Sequence, residues 1–323
     1  MPSLRSKLLN FVLKQTVKKQ LGRAAEISEV RERVESRAAK YTPPKSVIIE
    51  KEQGAPVPGE WVRRRDGKSV GTLLYLHGGG YQFGSPVSHR PLTTYLARRL
   101  PAQTFVPDYR LAPEHKFPCA LDDAIAAYDW LLDQGIKPSD IVVSGDSAGG
   151  GLSAALLLAL RDREKPLPAA AALLSPYTDI AATGASLELN EKTCAMFTAD
   201  LIKNVGDAYH GDYDAKHPLV SPVYADPTGL PPLLIHASTH ECLLDDATRL
   251  ATRADRAGVD VTFKLWEGMP HVWHIFNAYI PEAREACEEV TAFLRAELTA
   301  GEVLHTAPLA EPKSFDTQAA KIA

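Results

Sequence analysis

Short apolar runs, many of them β-branched, alternate along this chain with longer stretches in which apolar positions recur every three or four residues. Such alternation predicts strands and helices in turn, and hence an α/β fold with a mostly parallel sheet covered by helices on both faces. Val47-Ile48-Ile49 and Trp61-Val62 predict a leading antiparallel pair. Further strands are predicted over Thr72–Leu76, Thr104–Val106, Ile141–Val143, Ala170–Leu174, Leu233–Ala237 and Val261–Trp266, making eight. Helical spacing predicts helices near Arg90–Arg99, Ala120–Gln134, Ala148–Arg161, Leu243–Ala257 and Pro281–Leu298. From Thr183 to His217 the alternation stops without a strand signal, which predicts an inserted helical segment.

The two ends differ from this body. Met1 to Gly22 carries Arg5, Lys7, Lys14, Lys18 and Lys19 with no acidic residue, and Leu4, Leu8, Phe11, Val17 and Leu21 recur near helical spacing. An amphipathic helix is predicted, either docked on the body or touching a membrane surface. The run Leu8 to Leu13 is too short, and is broken by Asn10, for a signal peptide. From Gly301 the chain is polar and unpatterned, which predicts a mobile tail.

Composition narrows the setting. At 323 residues, 45% apolar and 24% charged, the chain can bury one large core. A net charge of −4 argues against nucleic acid as a partner. No window reaches the roughly 18 apolar residues of a membrane span, so stable insertion is not expected. Cys119, Cys194, Cys242 and Cys287 lie far apart with no Cys-x-x-Cys pair, which suggests neither a zinc site nor a disulfide framework and fits a cytoplasmic protein.

Chemistry concentrates where strands end. Ile141-Val142-Val143 leads into Gly145-Asp146-Ser147-Ala148-Gly149 and then an alanine- and leucine-rich helix, the strand, tight turn and helix of a nucleophile elbow. Gly145 and Gly149 leave room around Ser147, and the helix start aims free N–H groups at a developing oxyanion. His77-Gly78-Gly79-Gly80 ends another strand, and its glycines let backbone amides approach a ligand. An acid and a histidine follow the last two strands, Glu241 and His271, in the order Ser, acid, His. Asp245 is the alternative acid, although it falls where a helix should already have begun. His274 and His236 read as packed residues, His77 as a brace for the glycine loop, and Asp146 as support for that loop.

These motifs, together with Asp108-Tyr109-Arg110-Leu111-Ala112-Pro113-Glu114, Phe117-Pro118, Asp122-Asp123 and Pro270-His271-Val272, resemble the hormone-sensitive-lipase-like branch of the α/β-hydrolases, which includes many bacterial carboxylesterases. The resemblance runs from about residue 70 to Leu298, and departs from the usual pattern at the acid, where Glu241 stands in place of aspartate. It implies N-terminal cap helices over residues 1–44, a catalytic domain over 45–182 and 218–300, an inserted cap segment over 183–217, and a tail over 301–323.

The implied reaction is carboxylic ester hydrolysis through an acyl-enzyme. Ser147 is the nucleophile, His271 the base and Glu241 its orienting acid, with the amides of Gly78, Gly79 and Ala148 as the oxyanion hole. No metal or organic cofactor is required. Tyr81 and Phe83 are candidate pocket residues, with packing under the cap as their alternative. A two-part cap implies short to medium acyl chains, about two to eight carbons. The same triad would serve an amide, formamide or sterol-acetate hydrolase, whereas a binding-only relative would lack the serine or the histidine. Pairing into a homodimer through the last strand is a further option that the resemblance leaves open.

Overall fold

The structure, a computed structural model, describes residues 1–21 and 26–298. The predicted tail over 301–323 lies outside these residues. At the N-terminus stand α1 (Leu4–Leu13), a π-helical turn over Lys14–Lys18, the short α2 (Lys19–Leu21) and α3 (Ile27–Ala38). The body follows as β1 (Val47–Glu52), β2 (Gly59–Arg64), β3 (Gly71–Leu76), α4 (Pro86–Arg99), β4 (Ala102–Pro107), α5 (Cys119–Asp133), β5 (Ile141–Asp146), α6 (Ala148–Asp162) and β6 (Ala170–Leu174). After α7 (Ser186–Leu189) and α8 (Ala199–His210) come β7 (Leu233–Ser238), α9 (Leu244–Arg256), β8 (Val261–Trp266) and α10 (Pro281–Glu297).

All eight predicted strands form one sheet in the order β1-β2-β4-β3-β5-β6-β7-β8. β2 pairs antiparallel with β1 and β4, and every other pairing is parallel. The period of two along each strand sorts the core. Leu74, Leu76, Ile141, Val143, Ala171 and Leu173 pack beneath α5, α6 and α9. Their neighbours Leu73, Tyr75, Val142, Ala170, Ala172 and Leu174 face α4 and α10. Because β3, β5, β7 and β8 run parallel, the loops after them emerge on one edge, and strand order reverses around β3, where a crevice opens.

The α4 helix starts four residues before the predicted Arg90. Ser85 accepts the Ser88 amide at 3.2 Å and donates its own amide to Ser88 Oγ at 2.8 Å, a reciprocal cap, with Pro86 at the first helical position.

Over 183–217 the structure has the helices α7 and α8 and no strand among the described residues. Tyr209 of α8 stacks on Tyr81, ring centroids 3.6 Å apart and 7° from parallel, and Tyr177 Oη donates to the Ile202 carbonyl at 2.9 Å. The N-terminal helices lie over the same edge. Arg31 of α3 makes a bidentate pair with Glu114 at 2.8 and 2.7 Å and also donates to the carbonyls of Gln82 and Ala112.

The α1 helix is docked, by the face opposite Leu4, Leu8 and Phe11. Ser6 and Leu13 are buried, and Asn10 Nδ2 donates to the Gly268 carbonyl at 2.8 Å. Ser3 N–H and Ser6 Oγ donate to Glu282 at the start of α10. Leu4, Leu8 and Phe11 stand exposed.

Candidate active site

Ser147 sits between β5 and α6 at φ 53°, ψ −121°. That strained turn is held by its backbone. Ser147 N–H donates to the Leu174 carbonyl at 2.9 Å, and its own carbonyl accepts from Gly151 and Tyr177. The flanking glycines are obligatory, since a Cβ on Gly149 would come within 2.0 Å of the Leu76 carbonyl oxygen and one on Gly145 within 2.3 Å of the Gly149 carbonyl oxygen.

Glu241 and His271 come together on the loops after β7 and β8. His271 Nδ1–H donates to Glu241 Oε2 at 2.5 Å, with His271 2% and Glu241 0% exposed. The other carboxylate oxygen, Oε1, accepts the Ser238 amide at 2.6 Å and the Ser175 hydroxyl at 3.1 Å. Both oxygens are therefore satisfied, as a buried carboxylate requires. A carboxylate at Nδ1 fixes the tautomer, leaving Nε2 as the free lone pair. His271 Nε2 is buried and has no hydrogen-bond partner among the described residues. Phe197, just before α8, meets the imidazole edge-on at 5.1 Å.

His271 and Ser147 line one cavity of about 990 Å³, together with Gly79, Gly80, Phe83 and Phe197. Helical residues Val17, Leu21, Val30 and Val34 close it from the N-terminal side. Of the two positions left open for Phe83 and Tyr81, Phe83 lines the cavity. Tyr81 is 1% exposed beneath Tyr209 of α8, its φ of 58° turning it inward.

The glycine loop also departs from expectation. Gly78 N–H points into the protein and donates to Asp146 Oδ1 at 3.1 Å, so it is not free to meet a substrate oxygen. A Cβ there would lie 2.2 Å from Asp146 Oδ2. Gly79 and Gly80 take φ of +122° and +61°, and their amides donate to nothing among the described residues. The Ala148 amide, first in α6, has no partner within the helix.

Asp146 anchors this arrangement. It accepts Tyr75 Oη at 2.6 Å and has His89 Nε2 at 3.4 Å. Burial pushes its carboxyl up, but the His89 charge and the His89 and Tyr75 hydrogen bonds outweigh that and hold it at about 2. Burial acts the other way on His89, yet Asp146 raises it above the ordinary histidine value. His77 braces the loop through Nδ1 to the Gly78 carbonyl at 2.8 Å and stacks on Tyr109, whose Oη donates to the His77 carbonyl.

Asp245 lies in the first turn of α9, where its Oδ2 accepts the Ser186 amide at 3.0 Å, directed at the inserted segment. His236 and His274 are fully buried and bonded to each other, Nδ1 to Nε2 at 3.0 Å. Sequence reasoning missed Ser175, His89 and Tyr75. Ser175 was within reach, as it directly follows the predicted strand Ala170–Leu174 on the edge that carries the other site residues.

A family profile described as an alpha/beta hydrolase fold matches residues 73–275. An acetyl-hydrolase of Streptomyces hygroscopicus is 48% identical over 239 residues, 73% of this chain and 79% of that protein. The crystal structure of an esterase from the bacterial hormone-sensitive lipase family superposes with a TM-score of 0.86 at 37% identity, covering 93% of this chain and all of that one. EstE5, whose crystal was soaked with p-nitrophenyl butyrate, gives 0.87 at 38% identity, covering 92% of this chain and 99% of that chain.

Proposed function

Because this chain belongs to the α/β-hydrolase family, in its bacterial hormone-sensitive-lipase-like branch of carboxylic ester hydrolases, we propose that it cleaves short-to-medium acyl esters with Ser147, His271 and Glu241. The observation that carries this reading is the buried, unpartnered Nε2 of His271, opening on the cavity that Ser147 lines while Nδ1 is bound to Glu241.

A substrate carbonyl seated over Ser147 would place its oxygen toward the free amides of Gly79, Gly80 and Ala148. This trio replaces the one read from sequence, because Gly78 is committed to Asp146. His271 Nε2 takes the Ser147 hydroxyl proton as Oγ attacks, and Glu241 stabilises the imidazolium that forms. Collapse of the tetrahedral intermediate expels the alcohol, which takes the proton from Nε2. Water then enters and gives a proton to Nε2 as its oxygen attacks the acyl carbon; collapse breaks the bond to Ser147 Oγ, which takes that proton from Nε2, and the carboxylic acid leaves. Each amide aimed at the oxyanion contributes about 3–4 kcal/mol to the transition state.

The acyl or alcohol portion would lie between Phe83, Phe197 and the helical wall of Val17, Leu21, Val30 and Val34. Aromatic walls with few polar groups suit apolar esters. Butyrate is the acyl group of the ester soaked into EstE5, which supports a short chain here. Treatment with a serine-directed fluorophosphonate, followed by peptide mass analysis, tests the assignment. An adduct on the peptide carrying Ser147 is expected. Unmodified Ser147, or an adduct on another residue, would overturn it.

A further inference from the structure

Four large apolar side chains of α1 face solvent. Leu4, Leu8, Phe11 and Val12 are 83%, 63%, 61% and 44% exposed. At 100° per residue they form one stripe along the helix, opposite the face that carries Ser6, Asn10 and Leu13 onto the body. The helix is thus held by polar bonds to Glu282 and Gly268 and by Leu9 and Leu13 packed inward, while the broader apolar stripe is presented outward. Cations rim the stripe: Arg5 and Lys7 are exposed and pair with nothing among the described residues. Residues 1–22 hold five basic residues and no acidic one, in a chain of net charge −4.

We infer that α1 lays the protein on an anionic lipid surface, its apolar stripe in the acyl boundary and its basic rim against the headgroups. Both halves of that match are needed for reversible interfacial binding, since buried apolar area and attraction to anionic lipid add. No helix of the described residues is long and apolar enough to cross a membrane, so α1 would lie in the plane of the surface. A second copy fits the face less well, because a two-fold contact would set one basic rim against another. The geometry also gives the contact a use. From the π turn onward, Val17, Gln20 and Leu21 line the cavity, so the surface-bound segment continues into the wall of the site.

The test reads binding alone, on full-length Ser147→Ala protein, so its result is separate from whether the chain hydrolyses the proposed esters. Flotation with vesicles of phosphatidylcholine and phosphatidylglycerol in equal parts, at low salt, should carry the protein upward. Vesicles of phosphatidylcholine alone should carry much less. A Leu4→Ser/Leu8→Ser/Phe11→Ser variant, whose melting temperature should be unchanged because these side chains are already in water, should bind at least about tenfold more weakly. Arg5→Gln/Lys7→Gln should lose roughly fivefold per charge, an effect that salt removes. Failure of the parent to float, or undiminished binding by the serine variant, would overturn the inference. So would a parent dimer in gel filtration that the serine variant breaks, since the stripe would then cover a second copy.

Discussion

Glu241 Oε2 and His271 Nδ1 are 2.5 Å apart in a site where neither side chain is more than 2% exposed. The contact holds the imidazole by one nitrogen and leaves the other facing the cavity, which makes the identity of the acid testable. Glu241→Gln keeps the shape and removes the charge, so kcat should fall by about 10⁴ with little change in melting temperature. Asp245→Ala should leave kcat within about threefold, because that carboxylate is bonded to the Ser186 amide. Steady-state kinetics on both variants decides between them, and the reverse pattern would move the acid to Asp245.

Ser175 donates to Glu241 Oε1 at 3.1 Å and accepts the Val272 amide at 3.3 Å, so one hydroxyl positions the acid and the turn after the histidine. Ser175→Ala removes a hydrogen bond to a charged group, of about 1.5–3 kcal/mol. The expected loss is about tenfold to a hundredfold in kcat with KM nearly constant. Thr at the same position should restore part of it.

The glycine loop gives a sharper contrast. Gly79→Ala would set a Cβ 1.9 Å from the Phe83 carbonyl oxygen at a φ of +122°, displacing an amide that the proposed mechanism uses. A fall of about 10² to 10³ in kcat is expected. Tyr75→Phe removes one of the donors to Asp146 Oδ1 and leaves the Gly79 amide in place, so it should instead lower stability by about 1–3 kcal/mol, with a smaller effect on rate. Denaturant titration beside kinetics separates the two.

Phe83 and Tyr81 test where the acyl chain lies. Phe83→Ala enlarges the cavity and should shift kcat/KM toward longer esters by about tenfold or more. Tyr81→Ala removes the stack beneath α8 and should cost about 3–5 kcal/mol of stability without lengthening the preferred chain.

Burial, and then the charge of His236, hold His274 well below its ordinary value, so it stays neutral in the fold. The unfolded chain binds that proton near pH 6.5 while the native state does not. The stability this residue contributes is therefore present above about pH 6.5 and lost as pH falls, by up to about 1.4 kcal/mol per unit. The melting-temperature gap between wild type and His274→Gln should shrink from pH 7 to 5. A gap that widens on acidification would contradict the neutral assignment.

These contrasts mark what local sequence can and cannot carry. The inner strands were legible because fully buried runs such as Leu73 to Leu76 have no polar break, and the elbow was legible because Gly145, Ser147 and Gly149 are demanded by one turn. Which glycine amide is free depends on Asp146, 68 residues from Gly78, and no spacing within the loop encodes that bond. The direction of Tyr81 depends likewise on Tyr209 in the inserted segment. On α1 the sequence left docking and surface contact both open, because the inner face combines Leu9 and Leu13 with Ser6 and Asn10, whose polar partners lie more than 250 residues downstream.

The most direct test is hydrolysis of p-nitrophenyl esters from acetate to long chains by wild type and Ser147→Ala in parallel. Turnover of the short and medium esters, falling with chain length, is expected, with a loss of about 10⁶ in kcat in the variant. Turnover that survives in Ser147→Ala would contradict it.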